Sequence, residues 1–197
     1  MKIGIIDCGG ANLSSIAYSI NRLGYEPVIT NNQNKLKNVD KLIIPGVGSA
    51  DRVMKNLKKS NLDLFIKNAE MPILGICIGM QILFDFSQES NTECLGIIKG
   101  VVKKLEPSSS FPSPQMGWNL VTWQNNDYLN GYYYYANSYA VHDCTHAKAT
   151  SQYSKNIVAE VQKDNYIGCQ FHPEKSSQAG QRFLDYFFNS NEDITRY

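Results

Sequence analysis

A chain of 197 residues, 43% hydrophobic and 19% charged, can bury a substantial core and is neither disordered nor collagenous in composition. Its formal net charge of +1 gives no electrostatic reason to expect nucleic acid or an anionic membrane as a partner. No apolar run approaches the ~20 residues needed to cross a bilayer, and the apolar part of Met1 to Asp7 is too short for a signal peptide.

Lys2 to Ile6 is rich in isoleucine and predicts a buried strand, closed by a turn at Asp7-Cys8-Gly9-Gly10. From Asn12, the residues Leu13, Ile16, Ala17, Ile20 and Leu23 recur at helical spacing, and Gly24 sits where a C-cap glycine belongs. Short strands follow near Val28-Ile29 and at Leu42 to Ile44. Ser49 can cap a helix carrying Val53, Met54, Leu57, Leu64 and Phe65, with a break near Ser60-Asn61. Lys55, Lys58 and Lys59 fall on the solvated face of that helix. Pro72 to Ile76 predicts another strand, which passes through Gly75 to Gly79 into a helix with Met80, Leu83 and Phe84.

From about Leu95 to Gln170 the pattern changes to short β-like runs, at Val101-Val102, Leu120-Val121, Tyr132 to Tyr135, Ile157 to Val161 and Ile167 to Gln170. Pro107 to Pro114 reads as an exposed loop. A last helix from about Gln178 presents Phe183, Leu184, Phe187 and Phe188 on one side. Strands alternating with helices predict an α/β fold, a central, mostly parallel sheet with helices on both faces and a β-rich second half. No repeat or linker divides it, so one domain over 1–197 is expected.

The five cysteines, Cys8, Cys77, Cys94, Cys144 and Cys169, are scattered and odd in number, as expected of reduced thiols in a cytoplasm. Only Cys77 has unusual flanks. Gly75-Ile76-Cys77-Ile78-Gly79 joins a strand to a helix, the setting of a nucleophile elbow, where close backbones leave no room for a Cβ on the flanking residues. Unpaired amides and the positive end of the helix dipole stabilise a thiolate there. A structural cysteine in a tight turn is the plainer alternative, and the other four cysteines read as small buried hydrophobes. His142-Asp143-Cys144-Thr145-His146 lacks the further ligands that a zinc site needs.

A thiolate attacking an amide needs a proton donor for the leaving nitrogen. Of three histidines, His172 ends an apolar strand and is followed by Pro173-Glu174, so a carboxylate two residues on can orient the imidazole. Cys77, His172 and Glu174 are therefore the expected catalytic triad. Pro45-Gly46-Val47-Gly48 ends a strand just before a helix. Its free amides, that of Val47 above all, can join the Ile78 amide as oxyanion donors.

Pro45 to Gly48, Gly75 to Gln81 and Gln170 to Ser176, in this order and spacing, resemble the class I (triad) glutamine amidotransferases over nearly the whole chain. Within that class Asn12-Leu13, Met116-Gly117-Trp118-Asn119 and Lys175-Ser176 resemble the glutaminase subunit of imidazole glycerol phosphate synthase. The resemblance implies a flavodoxin-like domain, L-glutamine as substrate, and ammonia delivered to a separate synthase or cyclase subunit in a heterodimer. It implies no cofactor or metal. It further implies that Gly46, Val47, Gly48, Gln81, Ser138 and Tyr139 meet the glutamine. Asn12, Gln115, Met116, Trp118 and Lys175 would lie toward the partner subunit, core packing being the alternative for Met116 and Trp118.

The sequence departs from the family pattern at Cys8 in place of tyrosine, Ala11 in place of glycine, and Gln115 and Asn137 in place of histidines. These positions lie near the ammonia exit or partner face that the family implies. They leave open a specialised relative that feeds an enzyme amidinating a surface sugar. A cysteine peptidase-like hydrolase of similar architecture, which would not call for Gln81 or His172-Pro173-Glu174, and a catalytically silent binding subunit are the alternatives from other classes.

Overall fold

The computed structural model describes residues 1–9, 12–46 and 48–189. Its first half alternates strands and helices: β1 (Ile3–Ile6), α1 (Leu13–Arg22), β2 (Pro27–Thr30), α2 (Gln33–Leu36), β3 (Lys41–Ile44), α3 (Ala50–Lys59), α4 (Leu62–Lys67), β4 (Ile73–Ile76) and α5 (Ile78–Gln81). Then come β5 (Phe84–Ser87), β6 (Thr92–Glu93), β7 (Ile98–Lys104), β8 (Gln115–Trp123), β9 (Gly131–Asn137) and β10 (Tyr139–Ala140). The chain closes with β11 (Ala147–Tyr153), β12 (Lys155–Lys163), β13 (Tyr166–Cys169) and α6 (Ser177–Asn189).

The main sheet runs β2-β1-β3-β4-β13-β12-β11-β8-β9, and β10-β7-β5-β6 form a smaller one. From β2 to β13 all neighbours pair in parallel, and from β13 to β9 all pair antiparallel. The parallel part has the flavodoxin-like strand order. Every residue of β1, β3, β4 and β13 is buried, the mark of parallel strands covered on both faces. Since β2 and β3 lie on opposite sides of β1, right-handed crossovers put α1 and α3 on opposite faces of the sheet.

Helices α1, α3, α4 and α6 form where the spacing predicts them, whereas α2 had no predicted counterpart. In α3 the Ser49 hydroxyl accepts from the Arg52 amide, Ala50, Val53, Met54 and Leu57 are buried, and Lys55, Lys58 and Lys59 face solvent. The predicted break falls at Asn61, which takes a left-handed φ of 53° between α3 and α4. In α6 Phe183, Leu184, Phe187 and Phe188 are buried, and Phe188 meets Tyr25 edge-on, ring centroids 5.3 Å apart.

Two expectations are corrected. The helix expected to carry Leu83 and Phe84 stops at Gln81, because Phe84 to Ser87 pair with β6 and β7. An apolar run that suits either state is settled here by its strand partners. Cys94 and Cys144 are only half-buried, Cys94 at the end of the edge strand β6 and Cys144 in the turn before β11. Cys8 and Cys169 are buried as expected, and burial, helped by Asp7, pushes the Cys8 thiol up to about 12.

Glu160 in β12 is fully buried and accepts a hydrogen bond from the Trp123 indole N–H. Burial pushes its carboxyl up to about 7, even though the indole and Lys148 favour the charged form. The unfolded chain gives up this proton at a lower pH, so ionisation weakens the fold as pH rises from 4.5, fully so above about 7. Glu160→Gln keeps an acceptor for the indole. It is expected to be more stable than the wild type by about 1–3 kcal/mol at pH ~8, a gain that vanishes near pH ~4. Urea unfolding at the two pH values checks this.

Candidate active site

Strand β4 runs straight into Cys77, whose backbone takes φ 53° and ψ −107°. A non-glycine residue at such angles is strained and needs its surroundings to hold it there. The hold is a set of backbone-to-backbone contacts. A methyl group on Gly75 would overlap the backbone of Gly79, one on Gly79 would overlap the Ile44 carbonyl, and one on Gly46 would overlap the amides of Ile78 and Gly79. The Cys77 amide donates to the Cys169 carbonyl at 2.7 Å, which pins the turn to β13. Ile78 opens α5, so its amide has no intrahelical acceptor and stands free for a ligand.

Beyond β13 the chain carries His172 to the same place. The His172 amide donates to the Tyr134 carbonyl at 2.8 Å, and the Ser176 hydroxyl donates to the His172 carbonyl at 2.6 Å. That hydroxyl also accepts from the Tyr134 amide at 2.9 Å, so Ser176 ties the histidine turn to β9. His172 Nδ1 lies 2.9 Å from Glu174 Oε1, and His172 lines the same cavity as Cys77. Burial disfavours the charged imidazolium, but Cys77 first and Glu174 second outweigh it and raise His172 from 6.5 to about 10. The expected triad residues are thus brought together and shielded from water.

Asn12, expected on the partner face, is half-buried and its side chain meets Glu174. At φ 81° it donates from Nδ2 to Glu174 Oε1 at 2.6 Å, so that oxygen serves both Asn12 and His172. Oε2 of Glu174 is buried with no partner among the described residues.

A cavity of about 200 Å³ opens beside Cys77 and His172. Gly46, Gly48, Ile78 and Gln81 line it on the elbow side, and Asn137, Ser138 and Tyr139 on the other. Gln81 donates from Nε2 to the Tyr139 carbonyl and to Gln170 Oε1, 2.9 Å each, which leaves only its carbonyl oxygen to meet a ligand. The Ser138 carbonyl accepts from the Leu105 amide at 2.8 Å. Val47 lies outside the described residues, as do Gly10 and Ala11.

Two residues at the site, Glu89 in the cavity and Gln170 beside the cysteine, had no role assigned from the sequence. Glu89 lines the cavity from a short helical turn and accepts from the Ala50 amide at 2.7 Å. No motif marks Glu89, because tertiary packing against α3 places it. Gln170 faces the Cys77 sulfur from 3.6 Å, and its signal was its place in the histidine motif.

Of the residues expected toward a partner, Met116 and Trp118 are 63% and 54% exposed, which decides against core packing. Trp118 meets Tyr134 edge-on with ring centroids 6.1 Å apart, and Lys175 Nζ lies 5.9 Å from the centre of the Tyr134 ring. Gln115 is a correction. It is only 3% exposed, because in β8 it points inward while Met116 points out.

A strained cysteine elbow beside a buried His-Glu pair, on a flavodoxin-like sheet, is the arrangement that suits a hydrolase with a cysteine nucleophile. The model of the glutamine amidotransferase class-I family matches residues 4–191, and the chain belongs to that family. It is 44% identical over 193 residues to imidazole glycerol phosphate synthase subunit HisH of Haemophilus influenzae (strain ATCC 51907 / DSM 11121 / KW20 / Rd), covering 95% of this chain and 96% of that one. It is 43% identical over 191 residues to subunit HisH 2 of Campylobacter jejuni (strain RM1221), covering 95% and 97%. Among solved structures, a glutamine amidotransferase shares the fold with a TM-score of 0.75 at 14% identity, over 94% of this chain and 96% of that one. PurLQS from Thermotoga maritima does so with a TM-score of 0.69 at 18% identity, over 95% and 97%.

Cys77 is the first support of the imidazolium, so Cys77→Ala leaves only Glu174 to oppose burial. Titration of the His172 ring by nuclear magnetic resonance is expected to show its pKa falling from about 10 toward the ordinary imidazole range.

Proposed function

We propose that this chain is the glutaminase subunit of a two-protein synthase, most directly imidazole glycerol phosphate synthase in histidine biosynthesis. It hydrolyses L-glutamine to glutamate and ammonia as one domain over residues 1–197, in the cytoplasm, and passes the ammonia to a cyclase subunit. The observation that carries this reading is the buried series Cys77, His172 and Glu174 beside a cavity with room for one amino acid.

In this reading the Cys77 sulfur adds to the side-chain amide carbon, and the developing oxyanion is met by the Ile78 amide, with the Val47 amide as second donor. The His172 imidazolium gives its proton to the departing nitrogen, the C–N bond breaks, and a glutamyl thioester remains. Neutral His172 then takes a proton from water, which opens the thioester to glutamate and restores Cys77. Glu174 fixes the imidazole through Nδ1, and Asn12 fixes Glu174. The Glu89 carboxylate and the Gln81 carbonyl suit the α-ammonium end of the substrate, while Gly46, Gly48, Ser138 and Tyr139 shape the walls. The size of the cavity speaks against a peptidase, which must admit a stretch of polypeptide.

Met116, Trp118 and Lys175, with Tyr134 between the last two, form the face for the synthase subunit. Exposed aromatic and methionine side chains beside a cation are the composition of an interface core. A second reading, a paralogue serving a surface-sugar amidotransferase, is favoured by one observation. The departures Gln115 and Asn137 sit opposite each other, and Asn137 lines the cavity.

Cys77→Ala is expected to reduce glutamate release from glutamine to background without lowering the melting temperature, and near-normal release by this variant would falsify the mechanism. Trp118→Ala is expected to weaken binding of the synthase subunit by about 10- to 100-fold, read by titration calorimetry.

A further inference from the structure

Gln115 and Asn137 stand directly opposite each other in the β8–β9 ladder, 3% and 5% exposed. Opposed residues of an antiparallel pair have Cβ atoms roughly 5 Å apart, so the two amides share one small buried volume. Each keeps a carbonyl oxygen, Oε1 of Gln115 and Oδ1 of Asn137, buried with no donor among the described residues. Buried amide oxygens are almost always paired, since leaving one without a donor forfeits its hydration. Two of them on facing strands mark a place for a guest that brings N–H or O–H bonds.

The position of Asn137 says which guest. Its Nδ2 donates to the Tyr139 carbonyl at 3.0 Å, the oxygen that also takes Gln81 Nε2, so its own carbonyl oxygen is the free end. Asn137 lines the cavity that holds Cys77 and His172, the volume in which the amide nitrogen of glutamine comes free, and Gln115 stands opposite it in the ladder. Neither amide is charged or exchanges a proton near neutrality. Carbonyl oxygens bind N–H bonds and leave a nitrogen lone pair unengaged. A carboxylate there would select ammonium, which has no lone pair left to attack with. Resting on the glutaminase reading, we infer that Gln115 and Asn137 form a receiving site that holds the released ammonia neutral and nucleophilic.

The test runs the first half-reaction backwards. The full chain, with its synthase subunit but no acceptor, is given glutamine and ammonium labelled with heavy nitrogen. Ammonia in the site attacks the glutamyl thioester: the C–N bond forms, the C–S bond breaks with its electrons to Cys77, and one ammonia proton passes to His172. Labelled glutamine formed per glutamate released, read by mass spectrometry, reports occupancy of the site independently of the overall rate. In the wild type this ratio is expected to saturate with ammonium. Gln115→Met, of equal length but without the acceptor, and Gln115→Glu, whose carboxylate selects ammonium instead of ammonia, are each expected to lower it about fivefold or more. Asn137→Leu provides a second variant, and melting temperatures confirm that each folds.

Ratios within about twofold of the wild type in both Gln115→Met and Asn137→Leu overturn the inference and assign the two oxygens to a structural water. A wild type that releases no glutamate overturns the glutaminase reading itself, and the inference with it.

Discussion

Everything at this site depends on three backbones meeting where side chains cannot go. The end of β3, the end of β4 and the start of α5 cross at Gly46, Gly75 and Gly79, and a Cβ on any of the three would penetrate a backbone atom of another. Main chain cannot rotate aside as a flexible side chain can, so the contact holds only with glycine. The closeness forces Cys77 into its left-handed φ and lifts its sulfur off the sheet. It also sets the Ile78 amide beside the Gly46 turn. The parallel strand order supplies the rest, because β3, β4 and β13 are adjacent and end at the same edge of the sheet.

The second layer of control is electrostatic. A buried imidazole keeps its charged form only if neighbouring groups outweigh the loss of water, and at His172 Cys77 and Glu174 do so. Glu174 adds direction to charge. Its Oε1 receives both His172 and Asn12, so the ring cannot turn without breaking a contact that reaches back to the start of α1. The turn from His172 to Lys175 is clamped in its own right, by Ser176 to β9 and by α6, where Gly180 packs onto the Pro173 carbonyl with no room for a methyl group.

Much of this was legible in the residues. Gly-x-Cys-x-Gly after an apolar strand and His-x-Glu after another are local patterns, and local patterns survive in sequence. The parallel half of the sheet was equally plain, since buried strands such as β1 and β3 are nearly continuous isoleucine and leucine. What was hidden comes from partners distant in the chain. Phe84 became a strand residue through pairing with β7, and Glu89 reached the cavity through α3. The polar sequence of β11 gave no strand signal, and its pairing with β12 is interrupted by irregular register. Gln115 beside Met116 shows the limit of proximity in sequence. Adjacent strand residues face opposite ways, so a motif read as one surface divides into a buried and an exposed half.

The contact between Asn12 and Glu174 spans 162 positions of the chain. A polypeptide emerging from the ribosome presents its cysteine elbow long before its histidine, and the clamp from α6 comes last. Until that final segment is made, the thiol has no proton partner and no closed cavity around it. A fragment that ends before His172 therefore keeps the cysteine elbow but lacks the imidazole, the carboxylate and the clamp from α6.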